Sequence, residues 1–96
     1  MNEIVVSEIQ ILPLKPNNGL IAFVSFVVNN QLYIGNVALY TSPSSSDGFR
    51  LVYPIKVLPN GKEISCVHPI SREAGGQFQK AVIQKYEELF NKSAKQ

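Results

Sequence analysis

The run Leu20–Val28, LIAFVSFVV, constrains this chain more than any other stretch. It is β-branched and aromatic and bounded by turn residues, and a helical period does not fit it. As a strand it points Leu20, Ala22, Val24, Phe26 and Val28 to one side and Ile21, Phe23 and Val27 to the other, with Ser25 among the latter. A strand in a sheet packed on one side alternates apolar with polar residues. This one requires cover on both faces, and an uncovered face of this kind invites association. One short helix cannot cover both, so the sequence predicts a strand-mediated homodimer.

The flanking segments extend the pattern. Residues 3–14 alternate loosely and are rich in Ile and Val, Lys15–Gly19 (KPNNG) has turn composition, and a second turn falls at Asn29-Asn30. With residues 31–41 these make an antiparallel meander of three strands. After the serine-rich loop TSPSSSDG (41–48), FRLVYP (49–54) reads as a short strand ended by Pro54. A second hairpin turns at Asn60-Gly61, with KEISCVH (62–68) as its returning strand. The period then changes. Phe78, Ala81, Val82, Tyr86, Leu89 and Phe90 form one helical stripe. Ser71 is the N-cap candidate, while Gly75 and Gly76 push the regular start toward Gln77. Lys80, Gln84, Lys85 and Glu88 lie off the stripe. Five strands followed by one C-terminal helix make an α+β fold. The 96 residues suit one domain, 1–96, with 91–96 as a frayed tail. A monomer this small buries only roughly 60–65 % of its unfolded surface, which also favours association.

Several classes of function fall away. A hydrophobic fraction of 45 % with a net charge of +2 does not describe a disordered chain. Met1–Val6 lacks the basic region and cleavage site of a signal peptide, the longest apolar run is far short of a membrane span, and one cysteine suits a reducing compartment. The expectation is a cytoplasmic protein with no membrane partner. Charge is unevenly placed: residues 1–48 hold one Lys against three acids, net −2, and residues 49–96 hold eight Lys or Arg against four Glu, net +4. Solvated surface explains this adequately, with Lys92 and Lys95 complementing the helix dipole. A polyanion-binding face is the alternative.

Chemistry is thinly supplied. Cys66 and His68 are the only residues of their kinds, and two apart on one strand they sit roughly 6.5–7 Å from each other with no third group to orient the imidazole. They read as a small packing residue and a hydrogen-bonded strand-end residue. Two ligands do not make a structural zinc site. Glu87 and Glu88 diverge on a helix, and EAGG lacks the spacing of a nucleotide loop. No catalytic residue, cofactor or small-molecule substrate is expected. The cations able to meet phosphate are Lys56, Lys62, Arg72, Lys80 and Lys85.

The segment GFRLVYPIKVLPNGKEISCVHPIS resembles the signature region of the SpoVG family, the stage V sporulation protein G or septation regulators of bacteria. The shared pattern is a glycine before an apolar strand, Pro54 with Lys56 two later, Pro59, Gly61, and His68-Pro69-Ile70 leading into the last helix. QKAVIQKYEEL resembles the family's helix, and the likeness runs over about residues 5–90. It implies a small domain that dimerises through its strands, no enzyme, and a regulator of gene expression, septation or sporulation that binds DNA and RNA through basic residues around the second hairpin. Lys56 keeps that character. Val57 and Ile64 stand where the family often has basic residues, Lys62 lies two residues from Ile64, and the serine loop is longer than usual. A dimer serving protein interaction, with nucleic-acid binding lost, is the second reading.

Overall fold

A computed structural model describes residues 4–45 and 47–90. The tail expected at 91–96, with Lys92 and Lys95, lies outside them. Six strands precede one helix: β1 (Val6–Asn17), β2 (Leu20–Val28), β3 (Leu32–Thr41), β4 (Phe49–Val52), β5 (Ile55–Val57), β6 (Glu63–Ser65) and α1 (Arg72–Phe90). The first four form an antiparallel sheet in sequence order, and β5 and β6 pair only with each other. The α+β architecture of meander, second hairpin and C-terminal helix is therefore as expected. The strand read as 49–54 ends at Val52, and beyond Pro54 the chain opens a separate strand. The returning strand read as 62–68 keeps only three residues.

Turn chemistry sets the meander's register. Asn18 and Gly19 both have positive φ, 53° and 92°, and Asn17 faces Leu20. This is the two-residue turn whose twist matches the strands it joins, so Lys15–Asn17 belong to β1 rather than to a longer turn. Asn29 and Asn30 are left-handed too, and the Asn29 side chain accepts a hydrogen bond from Val5 N at 2.7 Å. Both neighbours of β2 carry an extra residue near its middle. Ser7 and Gln10 of β1 flank one bulge, around left-handed Glu8, and β3 has the other between Ile34 and Val37.

The helix covers one face of the sheet. Ala22, Val24 and Phe26 of β2, Ile34, Val37 and Leu39 of β3, and Phe78 and Val82 of α1 form the buried cluster. The Phe26 and Phe78 rings lie 5.4 Å apart, tilted by 38°. Ser71 caps the helix, its Oγ accepting from Ala74 N at 3.0 Å. The helix is regular from Arg72, not from Gln77: the cap and the docking of Phe78 outweigh the two glycines. Ile83 is buried, which the stripe did not include, while Leu89 and Phe90 at its far end are about half exposed.

Among the described residues the opposite face of β2 has no such roof. Leu12, Phe23, Ala38 and Val52 align across all four strands, and Leu12 and Phe23 are 64 % and 38 % exposed. Tyr33, 69 % exposed, lays its ring over Gly35, where a Cβ would come within 2.9 Å of it. The Arg50 guanidinium sits 5.1 Å from the centre of the Tyr40 ring on this side. The strand's two-faced composition thus has one face inside and one outside.

Tyr53, just after β4, has a buried hydroxyl with no hydrogen-bond partner among the described residues, and burial pushes its pKa up to about 12. An unpaired buried hydroxyl costs about 1–3 kcal/mol. Tyr53→Phe is therefore expected to raise stability by about 1 kcal/mol, read as a higher urea midpoint at unchanged slope. A destabilised variant would mean that the hydroxyl has a partner.

Candidate nucleic-acid interface

The five candidate cations fall into two places and one outlier. Lys56 and Lys62 belong to the β5–β6 hairpin, every strand residue of which is exposed. It stands off the body as an arm, and the radius of gyration is 14.2 Å, against about 12.5 Å for a compact chain of this length. Its tip is a three-residue turn, Pro59–Gly61, which contains the expected Asn60-Gly61 pair. Gly61 N donates to Leu58 O and Leu58 N to Lys62 O, both at 2.8 Å. Only Gly61 is left-handed, at φ 87°, and Asn60 Oδ1 accepts from Lys62 N at 3.0 Å. At its base, Cys66 N donates to Pro54 O at 3.1 Å.

Register explains what the two departures from the family pattern do. Lys56 lies directly across from Ile64, and Val57 across from Glu63. A basic residue at 64 would share a face with Lys56, whereas one at 57 would lie on the other face. With Ile64 and Val57 in those positions, the arm carries one cation where the paired position could hold two. It also exposes Ile55, Val57 and Ile64.

Arg72 and Lys80 stand apart from the arm, on the helix. Both line a groove of ≈ 890 Å³ between α1, the end of β4 and Pro69, whose wall also includes Asp47, Gln79, Gln84 and Glu87. Lys85 is half-buried and does not line it.

One wall of the groove depends on a contact that the sequence did not announce. Gln79 Nε2 donates to both Asp47 carboxylate oxygens, at 3.2 and 3.0 Å, and to Phe49 O at 3.0 Å. This fastens the serine loop to the helix across 32 residues. The Ser45 hydroxyl, at 2.7 Å, holds the Asp47 carboxyl below its ordinary range, helped by Gln79 and by Phe49 N, against an opposing desolvation. A lowered carboxylate pKa means that the latch contributes fully above the ordinary value and is lost as pH falls through the lowered one.

Cys66 is exposed and is not the packing residue expected. His68 is hydrogen-bonded as expected, its Nδ1 lying 2.9 Å from Ser65 Oγ, but it does not end the strand, which stops three residues earlier at Ser65. Among the described residues no cluster of three or more His, Cys, Asp or Glu could hold a metal ion. No helix of the described residues is long and apolar enough to cross a membrane.

Comparison with known proteins agrees with the hairpin signature. The sequence model of the SpoVG family matches residues 4–88. The chain is similar to a Clostridium perfringens protein named "Putative septation protein SpoVG", 24 % identical over 86 residues, covering 90 % of this chain and 92 % of that protein. A Treponema denticola protein of the same name is 27 % identical over 82 residues, 85 % of each chain. The projecting hairpin with Lys56, Pro59 and Gly61, and the His68-Pro69-Ile70 entry to the helix, fall inside the matched region: the chain belongs to the SpoVG family.

Proposed function

We propose that this chain is a nucleic-acid-binding regulator of the SpoVG type, acting as a homodimer in the control of gene expression, septation or sporulation. One observation carries the reading: a solvent-exposed hairpin arm, in the half of the chain with the net positive charge, presents Lys56 and Lys62. Two arms related by two-fold symmetry contact phosphates, with Arg72, Lys80 and Lys85 as supporting cations. The test is a shift assay at low salt with duplex DNA, single-stranded DNA and RNA. A shift with at least one is expected.

A second reading has its own observation. The arm exposes Ile55, Val57 and Ile64, a surface suited to a protein partner. Absence of any shift, with a protein recovered on the arm after nuclease treatment, moves the assignment to an interaction dimer.

The dimer itself is proposed on the open sheet face, where Leu12, Phe23 and Tyr33 are exposed and half-buried Val52 lies in the same row. Light scattering at micromolar concentration is expected to give twice the chain mass of 10.6 kDa. Phe23→Asp, which places a charge in that face, is expected to give the chain mass with the fold intact. A wild-type chain of 10.6 kDa overturns the dimer.

A further inference from the structure

The groove along α1 has a composition that phosphate contact on the arm does not use. Its volume, ≈ 890 Å³, falls within the range of about 300–1,000 Å³ usual for pockets that hold a small molecule. Leu51, Tyr53, Pro69 and Ile83 give it an apolar floor, Gln84 brings a side-chain amide to its wall, and Gln79, whose Nε2 is engaged by Asp47 and Phe49, adds its Oε1 as an acceptor. Amides can read the hydrogen-bonding edge of a base, and an apolar floor accepts the face of any base.

Gly76 is the most informative wall residue. Glycine costs a helix stability relative to alanine, and here neither steric crowding nor dihedral angle requires it. A Cβ at Gly76 would meet nothing within 4 Å, and the residue is not among those with positive φ. What its missing side chain leaves is open space on the groove wall. The two cations of the groove are also spaced usefully. Arg72 and Lys80, eight residues apart on one helix, are separated by about 12 Å along its axis. An extended single strand crosses that length in about two nucleotide steps, which leaves two bases and one further phosphate between the two phosphates that the cations take. Asp47 is already engaged by Gln79 and Ser45. Glu87 stands nearly two turns beyond Lys80, so the strand's path lies over the Arg72–Lys80 half.

We infer that this groove receives one unstacked base of a single-stranded nucleic acid, held beside Gly76 on the Leu51–Tyr53–Ile83 floor while Arg72 and Lys80 take phosphates two steps apart on either side of it. The inference rests on the nucleic-acid reading above and adds to it a strand preference. A duplex keeps its bases stacked and paired and offers the groove's cations phosphates but no base. A single strand reaches both surfaces.

Three labelled probes separate the possibilities by fluorescence anisotropy: an eight-nucleotide oligothymidylate, the same backbone with abasic sites, and a mixed-sequence duplex. The wild-type chain is expected to bind oligothymidylate at least tenfold more tightly than the abasic strand. Gly76→Leu, which fills the wall, is expected to abolish that difference while leaving duplex affinity within twofold. Gly76→Ala is expected to give an intermediate loss with an unchanged or raised melting temperature, so a poorly folding leucine variant does not decide the matter. Equal binding of thymidylate and abasic strands by the wild type, or an unchanged preference in both folded variants, overturns the groove and leaves the arm reading standing. No binding of any probe by the wild type overturns both.

Discussion

Phe26→Ala is expected to remove about 3–5 kcal/mol of stability, the range for deleting a fully buried phenylalanine. The residue is 0 % exposed, in the middle of β2, facing Ile34 across the ladder and the Phe78 ring of the helix. The substitution removes one of the two phenylalanines of the layer between sheet and helix. The aromatic contact contributes about 0.5–1.5 kcal/mol beyond area alone. β2 is held on both sides by neighbouring strands, so the backbone cannot close over the cavity. Domains generally have about 5–15 kcal/mol in total, and a chain this small belongs toward the lower end. The variant should therefore retain half of its stability or less. Urea unfolding reads this as a lower midpoint at unchanged slope. A loss below about 1 kcal/mol would place the ring outside the core, since the range for such truncations starts well above that.

The second large effect is on binding. Lys56→Ala combined with Lys62→Ala is expected to flatten the dependence of log affinity on log salt by about 3.6 for a dimer on duplex DNA, at about 0.9 per phosphate released from each of four cations. Between 50 and 200 mM salt the wild type should then lose roughly 150-fold more affinity than the double variant. A monomer would show a change of about 1.8 in slope, so the same titration reports on assembly. Ile64→Lys is the converse experiment. It places a cation directly across from Lys56 and should steepen the slope by about 0.9 per copy. If the double variant binds duplex DNA with the wild-type slope, the arm is not the phosphate-binding surface.

The sequence revealed most where a residue's local chemistry had no competitor. The Asn and Gly turns, the three-strand meander and the Ser71 cap follow from positive-φ tolerance and period two. The helix start was misjudged because propensity assigns two glycines a cost but does not include the cap bond or the burial of Phe78. Ile83 was missed because one stripe drawn through Phe78 and Val82 ignores the second element, the β4 side, that the helix packs beside. Cys66 looked like a core residue by type, yet the arm that carries it has no core. The Lys56–Ile64 pairing was implicit once the turn length was known, but a two-residue turn at Asn60-Gly61 would have set a different register. The groove was illegible for another reason. Gln79 meets Asp47 across 32 residues, and nothing local in either segment marks a contact that only the closed fold creates.

The arm also means that this small chain has two stabilities rather than one. An isolated two-stranded hairpin is marginal in water, and β5 and β6 pair only with each other. Its amides should exchange through local opening at little free-energy cost, while those of β2 wait for the whole sheet to unfold. Binding that orders the arm would then be visible as slowed exchange confined to residues 55–65, with the ordering cost taken from the affinity. The part of the protein best placed to meet a partner is also the part whose structure that partner would help to complete.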